Sequence, residues 1–138
     1  MKRENFIKKI LFIAAGGIGA AFFFDSCSPI KYLAHTVKGD KIIVKKAELK
    51  GVQFALVNAD NLPFPIYLRS LDNENYIALL TRCTHKGCEV IPYYDRLSCP
   101  CHGSEYSYTG EVISPPAQNP LMKLNVTADR DNIYIHKG

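Results

Sequence analysis

Four of the chain's five cysteines and two of its four histidines fall between positions 83 and 102, in two short segments. These are Cys83-Thr84-His85-Lys86-Gly87-Cys88 and Cys99-Pro100-Cys101-His102-Gly103-Ser104. Each offers a Cys-and-His pair and one further cysteine. Cys-x-His in the first and Cys-x-x-His in the second supply four soft or borderline ligands from two loops, as a metal centre requires. Any fold open to this chain must carry those two loops to one point. Gly87 and Gly103 stand where a loop has to turn its backbone N–H groups inward with no Cβ in the way.

The rest of the chain predicts the scaffold. With 138 residues there is room for one domain. Beyond residue 40, short β-type runs recur: Lys41 to Lys46, Val52 to Val57, Pro65 to Arg69, Tyr76 to Thr81, Glu89 to Tyr94, Gly110 to Ile113, Leu121 to Val126 and Ile133 to His136. Turn formers such as Asn58-Ala59-Asp60-Asn61 and Asp72-Asn73-Glu74-Asn75 separate them. No stretch after residue 40 sustains helical spacing over ten or more residues. The expected body is all-β, an antiparallel sandwich or small barrel built from hairpins, over residues 41–138. Residues 28–40 carry little periodicity and read as a linker.

At the N-terminus, Lys2, Arg3, Lys8 and Lys9 precede fifteen apolar or glycine residues from Ile10 to Phe24. This is the layout of an export signal or membrane anchor over residues 1–27. A helix of that length spans about 22 Å, short of the roughly 30 Å hydrocarbon core. Cys27, directly after Ser26, resembles the lipidated cysteine of a bacterial lipoprotein, although Phe24 and Asp25 depart from the usual leucine and small residue; the other reading is a free thiol beside an uncleaved anchor. Arg3-Glu4-Asn5-Phe6-Ile7-Lys8 also looks like a twin-arginine signal with its second arginine replaced. The globular part is thus expected on the periplasmic or outer face of a membrane, where a disulfide persists. The net charge is +4, and two of those charges belong to the first 26 residues. So even a balance over the remainder argues against nucleic acid as a partner.

The paired segments resemble the two cluster-binding loops of the Rieske iron-sulfur family, in the disulfide-containing form of cytochrome bc-type complexes. The motif covers Cys83 to Ser104, and a looser similarity runs through Tyr106, Gly110 and Pro115-Pro116-Ala117 to Leu121, like the family's proline-rich covering loop. The resemblance implies one 2Fe-2S cluster per chain. Position by position, it makes Cys83 and Cys99 ligands of the buried iron and His85 and His102 ligands of the outer iron, pairs Cys88 with Cys101, and gives Ser104 and Tyr106 hydroxyls that donate to a bridging sulfide and a ligand thiolate. Two ferric ions, two sulfides and two thiolates are neutral together when the imidazoles are neutral, so reduction is easier than for a four-thiolate cluster and the potential falls at about −150 to +300 mV. Donors to sulfur raise it further, which points to the upper half of that range. A zinc site is the competing reading of a Cys2His2 set, but zinc does not need the second cysteine pair, the glycines or the Ser-x-Tyr that follows.

The chain departs from the family in three places. Lys86 stands where quinol-oxidising members carry leucine, Ser114 replaces a glycine before the prolines, and the spacer from Glu89 to Ser98 is short. The leading expectation is an electron-transfer subunit, not a stand-alone enzyme, that takes electrons from a quinol at a membrane cytochrome b and passes them to a cytochrome. The alternative is the Rieske subunit of another periplasmic oxidoreductase, such as a molybdenum enzyme. A soluble ferredoxin of the oxygenase class is disfavoured by Cys88, Cys101 and the N-terminus.

Overall fold

A computed structural model describes residues 29–138, so Cys27 and the apolar run before it lie outside the described residues. Period-two alternation sets the strands: in Lys41–Lys45, Ile42 and Val44 are buried while Lys41 and Lys45 are exposed. The strands, in order, are β1 (Thr36–Lys38), β2 (Lys41–Lys45), β3 (Phe54–Val57), β4 (Ile66–Ser70), β5 (Tyr76–Leu80), β6 (Ile91–Tyr93), β7 (Arg96–Ser98), β8 (Glu105–Ser107), β9 (Val112–Ser114), β10 (Lys123–Ala128) and β11 (Asn132–His136). One 3-10 turn, Lys46–Leu49, follows β2. Among the described residues, no helix is long and apolar enough to cross a membrane.

Seven strands form one antiparallel sheet in the order β1-β2-β11-β10-β5-β4-β3, and β6-β7-β8-β9 form a smaller second sheet. The larger sheet is curled. Tyr32 bridges Leu56 on the β3 edge, and four residues later the chain opens the opposite edge as β1. The β1 edge pairs only with β2, while the β3 edge carries the Tyr32 bridge. The all-β expectation therefore holds, with a curled sheet and a small flanking sheet as its layers.

Strands β3, β4 and β5 have two apolar faces. Ala55, Val57, Ile66, Leu68 and Ala78 point into the curl with Ile42, Val44, Ile133 and Ile135. Leu56, Tyr67 and Leu79 point the other way, to a second core with Val90, Leu97, Tyr106 and Leu121 from the small-sheet side. Strands covered on both sides read as continuous apolar runs, as Phe54-Ala55-Leu56-Val57 does. Burying each such aliphatic side chain contributes about 1.5–3 kcal/mol. Gly110 sits where the two layers come closest: at φ +90°, its missing Cβ would lie 3.0 Å from Leu79 Cδ2.

Strands β1, β7 and β8, three residues each, were not expected from the sequence. Segments that short show no alternation, and β1 lies inside the stretch of low periodicity. The small sheet is what positions the site. Its β6–β7 hairpin turns at Tyr94 and Asp95, which puts the loop before β6 and the loop after β7 at the opposite end. The proline-rich segment after β9 returns to that same end.

Candidate metal centre

The two loops close on the same hydrogen-bond pattern. The Gly87 N–H donates to the Cys83 carbonyl at 2.9 Å, and the Cys83 N–H donates to the Cys88 carbonyl at 2.7 Å. In the second loop the Gly103 N–H donates to the Cys99 carbonyl at 3.0 Å and the Cys99 N–H to the Ser104 carbonyl at 2.8 Å. Both glycines take φ near +80°, a conformation that costs a side-chain-bearing residue free energy. Each loop is thus a tight turn that begins at a cysteine and ends one residue past a glycine.

Cys83 and Cys99 are free thiols, 3% and 1% exposed, within the second core. Cys88 and Cys101 are joined in a disulfide, which ties the first loop to the second. Cys99 Sγ lies within 4.8 Å of both disulfide sulfurs; these are bonded to one another, so that trio is not a metal site. His85 and His102 meet edge to face with ring centroids 4.8 Å apart. The thiols form one pair and the imidazoles another.

Tyr106, fully buried on β8, reaches the first loop with its hydroxyl. Tyr106 Oη lies 3.2 Å from Cys83 Sγ, accepts the Thr84 N–H at 3.1 Å and is 3.0 Å from Thr84 Oγ1. The Thr84 hydroxyl donates to the Asn119 carbonyl at 2.6 Å, so its one hydrogen is committed there and the Tyr106 proton serves Cys83 Sγ and Thr84 Oγ1. Burial pushes the Cys83 thiol up, but the Tyr106 hydroxyl, the His85 N–H, Cys99 and Ser104 outweigh it and hold the thiol below its usual range. Burial and the neighbouring Cys83 sulfur push Cys99 up, against the Cys101 and His102 N–H groups. Burial and Cys83 also raise the Tyr106 phenol, which keeps it a donor.

Ser104 is fully buried, and its Oγ accepts the Ala117 N–H at 2.9 Å, which leaves its own proton available. Ser104 and Thr84 thereby fasten the covering segment to both loops. Within it the Pro115–Pro116 bond is cis. Ser114, at the glycine position of the resemblance, ends β9 with its hydroxyl 3.4 Å from Glu105 Oε2. The sequence reading missed Thr84; its one signal was a hydroxyl lying between two ligand candidates.

A two-iron, two-sulfide group fits this donor set. Two buried thiols lie side by side with N–H and O–H donors aimed at them, and His85 Nδ1 is buried with no hydrogen-bond partner. Iron between the pairs would take both thiolates and the unpaired imidazole nitrogen as ligands. A family description for the Rieske [2Fe-2S] domain matches residues 31–126. The chain belongs to the Rieske family.

As a Rieske domain it has a 2Fe-2S cofactor and a cysteine cluster-binding site. Its relatives are named as iron-sulfur subunits. The cytochrome b6-f complex iron-sulfur subunit of Chlorobaculum thiosulfatiphilum is 29% identical over 151 aligned positions, covering 99% of this chain and 76% of the relative. The subunit of that description from Synechococcus sp. (strain WH7803) is 43% identical over 56 residues, covering 38% of this chain. That match spans only 31% of the cyanobacterial relative's length. Among solved structures, the plasma membrane Rieske protein PetC3 from Synechocystis PCC 6803 aligns with TM-score 0.56 at 28% identity, over 66% of this chain and 93% of its own. A chain of a hyperthermophilic respiratory Complex III aligns with TM-score 0.53 over 94% of this chain and 92% of its own, and at 16% identity it supports the fold alone.

Tyr106→Phe tests the tuning of the Rieske centre, since it removes one hydroxyl and almost no volume. A bond to a charged acceptor contributes about 1.5 kcal/mol, which for a one-electron couple is about 60 mV. The expected result in film voltammetry is a potential lower by that amount with the cluster fully occupied. An unchanged potential would make Tyr106 a packing residue only.

Proposed function

We propose that this Rieske domain is a one-electron carrier in which Cys83 and Cys99 hold one iron and His85 and His102 the other, working as a subunit of a membrane quinol-oxidising cytochrome complex. The observation that carries the reading is the segregation of donors, with buried thiols beneath the Tyr106 hydroxyl and paired imidazoles at the outer end. When bound, the cluster supplies a one-electron couple in the range of about −150 to +300 mV. His85 Nδ1, buried with no hydrogen-bond partner, is the nitrogen that would ligate iron. His102 is exposed and is the imidazole a docking partner reaches first. Ser104 and Tyr106 present hydroxyl protons to the sulfur side, where added negative charge strengthens each bond and favours the reduced state.

The relatives named as subunits of cytochrome b6-f complexes support a cytochrome b partner, a cytochrome acceptor and a domain held on the outer or periplasmic face of a membrane. Lys86 favours a second reading, the Rieske subunit of another periplasmic oxidoreductase. It is exposed beside His85, and the loops 83–88 and 99–104 contain no carboxylate to balance it. An aliphatic shield for a quinol headgroup is missing at that position.

The purified chain should contain two irons and two acid-labile sulfides. After dithionite reduction its EPR spectrum should have the low average g-value that imidazole ligation to ferrous iron gives. A colourless protein with one zinc per chain would overturn the proposal. Which partners copurify from native membranes decides between the two readings.

A further inference from the structure

The outer face of the curled sheet is basic in a way the overall charge conceals. Strands β1, β2, β10 and β11 contain no Asp or Glu. Residues 31–50 carry six lysines against Asp40 and Glu48, whereas residues 51–138 have more acidic than basic groups. Strand register concentrates the charge. Lys38 stands directly opposite Lys41, and Lys41 directly opposite His136. The two lysines placed opposite one another are destabilising unless something neutralises them.

Three of the nearby carboxylates are engaged elsewhere, while Asp40, in the β1–β2 turn, and Asp131 make no ion pair within 4.0 Å among the described residues. Glu48 pairs with Lys31 at 3.8 Å, and Glu74 pairs with Lys46 at 3.7 Å. Asp129 accepts the Tyr134 hydroxyl at 2.6 Å and two N–H groups of its own turn. Among the described residues, Lys38, Lys41 and Lys45 have no ion-pair partner within 4.0 Å. Beside them is a cavity of about 510 Å³ lined by His35, Lys38, Lys45, Asn132 and Tyr134. A second cavity of about 610 Å³, lined by Lys46, Arg130 and Asp131, shares Lys45 and Asn132 with it.

Glu48, the partner of Lys31, lines the first cavity, so the chain enters the domain at the rim of the face. The apolar run ends at Phe24, and the seven residues from there to Lys31 reach about 25 Å at most. We propose that the outer face of β1, β2 and β11 rests on an anionic phospholipid leaflet, with Lys38, Lys41 and Lys45 against lipid phosphates. The proposal rests on reading residues 10–24 as membrane-inserted. A single phosphate would fill one cavity, but it would not neutralise three lysines spread over two strands.

The test uses the full chain in vesicles of phosphatidylcholine alone or mixed with phosphatidylglycerol, with the rate of amine acetylation read at each lysine by peptide mass spectrometry. Each lysine held at an anionic surface gains about fivefold in affinity, so Lys38, Lys41 and Lys45 should be acetylated about fivefold more slowly in the anionic vesicles. Lys86, on the cluster loop, should be unaffected. The protection should vanish in about 1 M salt, where the screening length falls to about 3 Å.

Equal rates in the two vesicle types, or equal slowing of Lys86, would overturn the proposal and leave the face to solvent or to an acidic protein. Slowing of the same lysines by inorganic phosphate in detergent would also overturn it, in favour of a small-anion site. Sedimentation distinguishes loss of the anchor from loss of the lipid-facing role of the sheet. A chain that pellets with both vesicle types at matched rates keeps its anchor and loses the lipid-facing role of the sheet. A chain that pellets with anionic vesicles alone, with the three lysines protected, keeps the face and loses the anchor.

Discussion

Cys99→Ser is expected to leave the domain colourless, with iron and acid-labile sulfide reduced to background. Cys99 is 1% exposed, at the end of β7, held by its own N–H on the Ser104 carbonyl and by its carbonyl from Gly103. The backbone would therefore present serine in the same place, and the loss would be of the sulfur alone. A serine hydroxyl stays protonated where a thiol yields a thiolate, and it is the thiolate that binds iron. Cys83→Ser should do the same, since Cys83 occupies the equivalent place in the first loop. Cys27→Ser serves as the control and should keep full colour. Circular dichroism distinguishes lost metal from lost fold. A Cys99→Ser domain with wild-type iron content would remove Cys99 from the proposed ligand set.

The next largest effect is expected from Cys88→Ala combined with Cys101→Ala. The bond closes a loop with a sequence separation of 13, for which chain entropy gives a stabilisation of about 3 kcal/mol. In a domain of this size, that corresponds to a fall in melting temperature of about 10 °C or more. The four proposed ligands would remain, so the cluster should assemble and then be lost on mild heating, as the two loops separate. Iron retained against temperature is the measurement. Curves that superimpose on wild type would show that the cluster and the covering segment hold the loops together without the bond.

What the sequence disclosed followed from local chemistry. Strand β2 and its partner β11 alternate apolar and polar residues, and β3, β5 and the first three residues of β4 are apolar, so all five could be read directly. The β6–β7 turn could not. Tyr94 takes φ 51° where Gly or Asn is the usual choice, so nothing in Tyr93-Tyr94-Asp95-Arg96 marks a reversal. The expected strand therefore ran from Glu89 to Tyr94, and β7 was missed. At the site, the spacing of cysteines, histidines and glycines made the two loops legible. The bond from Thr84 to Asn119 was not, because it joins residues 35 apart and depends on how the proline-rich segment folds back. The curl of the large sheet was equally hidden, as it rests on one bridge between Tyr32 and Leu56.

Because β3, β4 and β5 serve two cores at once, the metal-bearing half of this protein is not a transplantable module. Excising the small sheet with its loops would strip Leu97 and Tyr106 of Leu56, Tyr67 and Leu79, the surface they pack on. Deleting it instead would turn that apolar stripe out to water on what remained. A redesign that swaps loops between scaffolds would have to carry the three shared strands along with them, and the curl that supports those strands would follow.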